Sequence, residues 1–167
     1  LKAVWVDTLI LQGRFKPSDY VGMFYEACPE AFEAKPGRLR SEKFPYLRNI
    51  IFMGEIPYNG MYRWSKLIDA GRQISDQELA EREESVEFDD PLNIQYTSGT
   101  TGYPKGVVLS HHSVLNNGLI IGDGMKFTEK DKLCIPVPFY HCFGMVLSNM
   151  ACMTHGTTMI IPAPFFD

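Results

Sequence analysis

The stretch YTSGTTGYPKGV, residues 96–107, contains three glycines, four Ser or Thr side chains, one proline and one lysine. Glycines allow backbone N–H groups to face a bound anion, because no Cβ blocks the approach. The Ser and Thr hydroxyls add hydrogen-bond donors, and Lys105 adds a positive charge. This combination indicates a loop that binds the phosphates of a polyphosphate ligand.

The residues on either side of the loop predict a β-hairpin. Residues 92–96 and 106–109 are short apolar or β-branched runs, which are typical of strands. Pro104 restricts Tyr103 to extended geometry, so no helix is expected to begin inside the loop. A Walker A loop needs Ser or Thr after its lysine and then a helix, whereas a glycine follows Lys105. The glycine spacing does not give a dinucleotide-binding fingerprint either.

Beyond the hairpin, the second half of the chain alternates predicted helices and strands. Ser110 is a suitable N-cap for a helix through residues 112–117, which residues 122–129 are expected to break. Strands are predicted over residues 132–137 and 156–162, with an apolar helix between them over residues 143–154. This alternation predicts an α/β fold.

The first half gives weaker patterns. Strands are predicted over residues 2–6 and 46–53, and helices over residues 21–28 and 61–70. Residues 76–90 contain eight acidic side chains and one basic side chain. Such a run indicates a solvated surface helix rather than a metal site.

Length and composition exclude several classes of protein. A chain of 167 residues with a net charge of −4 is long enough for one domain with an ordinary core. The basic residues are scattered, so no nucleic-acid partner is indicated. No apolar stretch approaches the roughly 18 residues of a membrane span, although peripheral membrane contact and the oligomeric state stay open. The four cysteines lack metal or disulfide spacing and are typical of reduced, mostly buried thiols in a cytosol-like compartment.

A second candidate site is the stretch PFYHCFG, residues 138–144, which directly follows a predicted strand. In α/β folds, site residues tend to lie after strands. A histidine among aromatic residues is more often a packed core residue, but an imidazole N–H could also orient a substrate carboxylate. His111 and His112 fit no standard zinc spacing and are expected at a helix start, so we predict no metal ligands.

Both stretches, in this order, resemble motifs of the adenylate-forming enzymes. That superfamily includes acyl-CoA synthetases, luciferases and the adenylation domains of peptide synthetases. Residues 96–107 are similar to its phosphate-binding signature, and residues 138–144 are similar to its aromatic–His–x–x–Gly motif. Looser similarity, in CPE at residues 28–30 and PGRLRSEKFPYLRNII at residues 36–51, resembles the fatty acyl-CoA synthetases, nearest the medium-chain family member 2 type.

The resemblance implies a reaction and a set of ligands. In this superfamily a carboxylate attacks the α-phosphorus of ATP, giving an acyl-adenylate and pyrophosphate, and the thiol of coenzyme A then displaces AMP. The resemblance therefore implies a fatty acid, ATP, Mg²⁺ and coenzyme A as ligands. It also implies a cytoplasmic location, or the mitochondrial matrix in a eukaryote.

The same resemblance assigns roles to individual residues. It implies that the loop contacts the β- and γ-phosphates, with Lys105 also serving catalysis. It places His141 in the carboxylate pocket as a second catalytic residue, and Gly144 where the following helix approaches the acyl channel. The implied phosphate-binding residues are Thr97, Ser98, Gly99, Thr100, Thr101, Gly102, Tyr103, Pro104 and Lys105.

The resemblance implies that residues 1–167 form part of the large N-terminal AMP-binding domain, without the C-terminal domain. Both ends fall at predicted strands, so we expect a segment of a larger enzyme that is inactive alone. The adenine, ribose and C-terminal-domain lysine sites are then expected beyond residue 167. Two alternatives stay open: a ligase for an aryl or amino acid, and a non-catalytic polyphosphate-binding or interaction domain.

Overall fold

A computed structural model describes residues 4–99 and 102–163 of the protein. The chain divides into two compact units, residues 1–80 and 81–167. The division falls inside a helix, Asp76–Glu84, whose side chains are exposed along its whole length, as the acidic pattern predicted.

The first unit contains a short parallel sheet. Its strands are β1 (Thr8–Leu11), β4 (Asn49–Phe52) and β5 (Tyr62–Arg63), hydrogen-bonded in that order. A small antiparallel hairpin, β2 (Arg14–Phe15) and β3 (Ser18–Asp19), follows β1. The helices of this unit are α1 (Tyr20–Ala27), α2 (Glu30–Glu33), α3 (Trp64–Gly71) and the beginning of α4 (Asp76–Glu84).

Local chemistry explains where α1 begins and what it packs against. The carboxylate of Asp19 accepts a hydrogen bond from the Gly22 N–H at 3.0 Å, which caps the helix. Phe24 of α1 belongs to the core of the unit, and the largest completely buried side chains there are Leu39, Leu47 and Ile50.

The second unit carries an antiparallel hairpin, a helical layer and a parallel strand pair. The hairpin is β6 (Pro91–Thr97) with β7 (Lys105–Ser110), and the parallel pair is β8 (Lys132–Cys134) with β9 (Thr158–Ile160). Helix α5 (His111–Met125) follows the hairpin, and a π-helix (Phe143–Met150) continues into α6 (Ala151–His155).

Helix α5 packs closely against the π-helix and α6. A Cβ on Gly118 would lie 2.6 Å from the Met150 Cβ and 2.9 Å from the Met150 carbonyl carbon, and a Cβ on Gly122 would collide with the imidazole of His155. The imidazole Nε2 of His155 also lies 3.2 Å from the Asp123 carboxylate. Two glycines therefore allow the helices of this layer to approach each other.

Some predicted elements are absent or have other bounds in the structure. The described part of residues 2–6 forms no strand, and the first strand is Thr8–Leu11 instead. Residues 122–125 continue α5 rather than break it, because Gly122 faces a neighbouring helix. The helix ends at Lys126, whose φ of 57° is in the left-handed region. Helix α3 is preceded by the short strand β5, which the sequence patterns did not indicate.

The remaining elements confirm the predicted α/β class, since helices alternate with both parallel and antiparallel strands. Within the described residues, every helix is too short or too polar to cross a membrane. Burial is the largest cause that raises the pKa of the Cys28 thiol, ahead of a hydrogen bond with Ser41 that lowers it. Burial also raises the pKa of the Cys152 thiol. Both side chains are completely buried, as predicted, whereas Cys134 is exposed and Cys142 half-buried.

Candidate functional site

The glycine-rich stretch is the turn of a β-hairpin, as the sequence predicted. Strands β6 and β7 pair antiparallel, with Tyr96 opposite Gly106 and Thr97 opposite Lys105. Each strand is longer than its predicted range by one residue at either end. The loop thus joins two strands directly, with no helix at its end.

Glycine is required at one position in this turn. Gly99 has a φ of 59°, and a Cβ there would collide with the carbonyl oxygen of Tyr103. The chain therefore passes close over itself, and only a residue without a side chain fits. Gly102 also has a positive φ, of 83°, but is open to solvent. Two predicted phosphate contacts, Thr100 and Thr101, lie outside the described residues.

Lys105 lies across the loop rather than away from it. Its Cγ is 3.6 Å from the position that a Cβ on Gly99 would take. Directly opposed residues of an antiparallel pair project to the same face, so the Thr97 hydroxyl and the Lys105 ammonium share one side of the hairpin. Within the described part of the chain, Lys105 forms no ion pair. The loop base therefore presents an exposed hydroxyl and an uncompensated cation together.

The histidine stretch forms a turn that leads into the π-helix. The Phe143 N–H donates to Nδ1 of His141 at 3.2 Å, and the His141 N–H donates to the Pro138 carbonyl at 3.2 Å. Because Nδ1 accepts, the neutral imidazole carries its proton on Nε2. His141 is exposed rather than packed in the core, so its Nε2–H is free to donate to a ligand.

Gly144 is buried against the backbone that precedes the histidine. A Cβ there would lie 2.8 Å from the Pro138 carbonyl carbon and 3.1 Å from the Phe139 Cα. This close approach is to the turn itself, whereas the resemblance implied that it serves the following helix. The Ser148 hydroxyl is buried and donates to the Phe143 carbonyl at 2.9 Å, five residues earlier, which matches the wider π-helical turn.

A side-chain contact connects the strand before the loop with the helix after the histidine turn. The Asn93 amide Nδ2 of β6 lies 3.4 Å from the Met145 sulfur of the π-helix. Gln95 donates to Asn93 Oδ1 at 3.1 Å, which orients that amide. Among the described residues, Lys105 and His141 themselves share no hydrogen bond. Local patterns do not indicate Asn93 and Met145, whose contact joins residues 52 apart in the chain, and they do not indicate the hydrogen bond from Ser148 to Phe143 either.

An apolar groove begins beside the histidine turn. Its volume is about 280 Å³, and it runs between α5 and the π-helix. Cys142, the residue after His141, forms part of its wall. Its apolar lining also includes Leu109, Val114, Ile121, Val146 and Leu147, and its polar lining is Ser113 and Asn117.

His112 lies at the start of α5, as predicted, and contacts an aromatic ring. Its imidazole packs edge-on against Phe88, with the centroids 5.6 Å apart. In the described ranges, no three His, Cys, Asp or Glu side chains are grouped closely enough to hold a metal ion.

Comparison with known proteins gives relatives over the whole chain. YngI of Bacillus subtilis, which is named as an acyl-CoA synthetase, is 44% identical over 167 residues, covering 100% of this chain and 30% of YngI. The human mitochondrial medium-chain acyl-CoA ligase ACSF2 is 38% identical over 173 residues, covering 100% of this chain and 28% of ACSF2. The chain thus spans less than a third of the length of these relatives.

Solved structures show the same fold. The anthranilate CoA ligase AuaEII in complex with anthranoyl-AMP matches 97% of this chain and 27% of its own, with a TM-score of 0.67 and 19% identity. A long-chain-fatty-acid-CoA ligase from Archaeoglobus fulgidus matches 98% of this chain and 26% of its own, with a TM-score of 0.61 and 20% identity. At these identities the likeness concerns the fold alone.

The sequence profile of the family described as AMP-binding enzyme matches residues 28–167, which include the hairpin loop and the histidine turn. That match covers most of the chain, and the chain therefore belongs to the AMP-binding enzyme family.

Proposed function

We propose that this chain is the phosphate-loop portion of an ATP-dependent fatty acid–CoA ligase. The ligase joins a fatty acid to AMP with release of pyrophosphate, and then transfers the acyl group to coenzyme A. The observation that carries the proposal is the hairpin itself, where the Lys105 side chain crosses Gly99 and shares a face with Thr97.

The loop is suited to the leaving polyphosphate. Its exposed lysine lacks a protein counter-ion among the described residues, so binding a phosphate breaks no ion pair. A positive φ at Gly99 tightens the turn, and residues 97–105 offer backbone N–H groups and hydroxyls to the β- and γ-phosphates. Such contacts neutralise charge that develops on pyrophosphate as it leaves. Mg²⁺ bound to the phosphates supplies further charge neutralisation.

His141 is assigned to the acid. Its exposed imidazole, protonated on Nε2, can donate a hydrogen bond to the substrate carboxylate and orient the attacking oxygen. Gly144 and Ser148 hold the turn that carries it, the first by close packing and the second by its hydrogen bond to Phe143.

Two observations favour a fatty acid over an aryl or amino acid. The groove that starts at Cys142 has an apolar wall of Val114, Ile121, Val146 and Leu147, which suits a hydrocarbon chain. The relatives at 44% and 38% identity carry acyl-CoA synthetase and medium-chain acyl-CoA ligase names. The names of these relatives also support coenzyme A as the acyl acceptor. We likewise propose a cytoplasmic location, or a mitochondrial one in a eukaryote, and the named location of ACSF2 supports the second.

Substitution of the loop lysine tests the phosphate assignment. In the full-length protein, Lys105→Ala should lower kcat/KM for ATP by more than about tenfold, which corresponds to about 1.4 kcal/mol of transition-state stabilisation. The Tm should hardly change, because the side chain is exposed. Lys130→Ala, which removes an exposed lysine from the turn before β8, is the matched control. A Lys105→Ala enzyme with the kcat/KM of the Lys130→Ala enzyme would refute the role.

A further inference from the structure

A loop of the first unit concentrates positive charge. Residues 35–48 contain five basic side chains and one acid, although the whole chain has a net charge of −4. The basic residues alternate with others along the sequence, so no continuous basic run is visible there. The fold instead collects three of them around a single pocket of about 520 Å³, formed by Arg38, Arg40 and Arg48.

Buried and exposed side chains alternate along this loop. Leu39 is completely buried and Ser41 is 7% exposed, while Arg38 and Arg40 are exposed on either side of Leu39. Leu39, Ser41 and Pro45 contribute the uncharged wall of the pocket. The two arginines therefore stand on a backbone that is anchored by its buried neighbours.

Hydrogen bonds fix the same backbone further. The Ser41 hydroxyl donates to the Glu30 carboxylate at 3.1 Å and accepts from the Phe44 N–H at 3.3 Å. The Arg48 N–H donates to the Asp7 carbonyl at 2.8 Å, and the Arg48 guanidinium donates to the Leu47 carbonyl at 3.0 Å. The guanidinium of Arg48 is exposed and is held near the backbone at the pocket by this hydrogen bond.

The positive charge of the pocket is not neutralised by the protein. Among the described residues, no carboxylate forms a salt bridge with Arg38, Arg40 or Arg48. The acid connected to the pocket wall is Glu30, through Ser41. Its own backbone N–H and the Ser41 hydroxyl lower its pKa, and Lys43 acts in the same direction. With Glu42 of the same loop, two carboxylates therefore accompany three guanidinium groups.

We propose that this pocket binds the phosphoryl group of a soluble organic phosphate. Guanidinium groups present paired N–H donors that match phosphate oxygens. They bind a doubly charged phosphate more strongly than they bind a singly charged carboxylate. The volume exceeds that of inorganic phosphate and falls within the range of small-molecule sites, leaving room for an organic body against Pro45. The residues that line this pocket all belong to the first unit, whereas the hairpin loop at residues 97–105 belongs to the second.

Calorimetric titration of the full-length protein with phenyl phosphate tests the proposal. At pH 7.5 this probe is largely a dianion, because the second pKa of a phosphate monoester is about 6. Arg38→Gln and Arg40→Gln should each weaken binding by about fivefold or more, and binding should weaken as salt is raised. Arg72→Gln, which removes an exposed arginine paired with Asp69 outside the pocket, should leave binding unchanged.

Further variants and ligands distinguish binding at this pocket from binding at the hairpin loop and from a general affinity for anions. In a Lys105→Ala background, which weakens the hairpin loop, the losses in Arg38→Gln and Arg40→Gln should persist, and benzoate should bind more weakly than phenyl phosphate. Arg40→Lys, which keeps the charge but loses the paired donors, should give an intermediate affinity if Arg40→Gln fails to fold. The proposal would be overturned if phenyl phosphate did not bind, or if Arg72→Gln weakened its binding as much as the pocket variants do. It would also be overturned if only Lys105→Ala weakened binding, or if the protein bound only to vesicles containing phosphatidic acid.

Discussion

His141 is fixed at its backbone and at one ring nitrogen, while the other nitrogen stays available. The hydrogen bond from Phe143 to Nδ1 sets the tautomer, and the bond from His141 to the Pro138 carbonyl closes the turn. A core histidine would instead be buried with both nitrogens satisfied. The exposure of His141 therefore argues against a role in core packing and leaves Nε2 accessible for the role that we propose.

Removing the imidazole should impair acid activation more than ATP binding. In the full-length enzyme we expect His141→Ala to slow single-turnover acyl-adenylate formation by about tenfold or more, since it removes one donor to the reacting carboxylate. The Kd for ATP should change little. His112→Ala, which removes a histidine packed against Phe88, is the control for the loss of an imidazole elsewhere. If His141→Ala only lowers the Tm and the folded enzyme reacts at the normal rate, the histidine is structural.

At the scale of elements, the helical layer beside the hairpin depends on close contact between α5 and the π-helix. Gly118 faces the backbone of Met150 and Ala151, whereas a Cβ on Gly124, on the same helix, would meet nothing within 4 Å. Gly118 and Gly124 therefore have opposite surroundings.

These two glycines should respond to alanine in opposite ways. Gly118→Ala forces a methyl group against backbone that cannot move aside, and we expect a loss of about 1 to 3 kcal/mol. Gly124→Ala should raise stability by up to about 1 kcal/mol, because alanine favours the helix. Thermal unfolding of the two variants of the full-length protein gives the comparison. A Gly118→Ala protein at least as stable as wild type would show that α5 does not pack as described.

The elements that the sequence predicted well are those set by local chemistry. Strand-forming residues on either side of the loop with Pro104 predict the hairpin. Ser110 predicts the start of α5, and its hydroxyl accepts a hydrogen bond from the Ser113 N–H at 3.2 Å. The predicted end of α5 is wrong because Gly122 serves packing against His155 rather than helix termination. The sequence predicts the π-helix only as an apolar helix, since nothing local distinguishes the Ser148 hydrogen bond.

The candidate site was predictable in parts for a similar reason. Thr97, Gly99 and Lys105 belong to one contiguous loop, so their chemistry is visible in the sequence. The contact between Asn93 and Met145 depends on how β6 and the π-helix meet, and no sequence pattern encodes it.

At the scale of the whole molecule, the chain spans 30% of YngI and 28% of ACSF2. Adenylation requires the acid, the α-phosphate and a metal ion held together in a site that excludes water. Holding the reactants together raises their effective concentration, which can be worth about 7 to 11 kcal/mol in well-oriented reactions. A partial site loses most of this advantage.

We therefore expect residues 1–167 alone to lack ligase activity. The purified chain should release no pyrophosphate above background when given ATP, Mg²⁺, coenzyme A and a panel of fatty acids. Hydrolysis of ATP without added acid serves as the blank. Turnover that depends on both the acid and ATP would show that these residues contain a complete site.

The proposed function requires that this loop serve the activation of a fatty acid by ATP in the full-length protein. The most direct measurement is the exchange of labelled pyrophosphate into ATP, which reports reversible acyl-adenylate formation. We predict exchange that requires a fatty acid, proceeds without coenzyme A, and falls by more than about tenfold in Lys105→Ala. Exchange that is absent with every fatty acid, or that is equally fast in Lys105→Ala, would contradict the account.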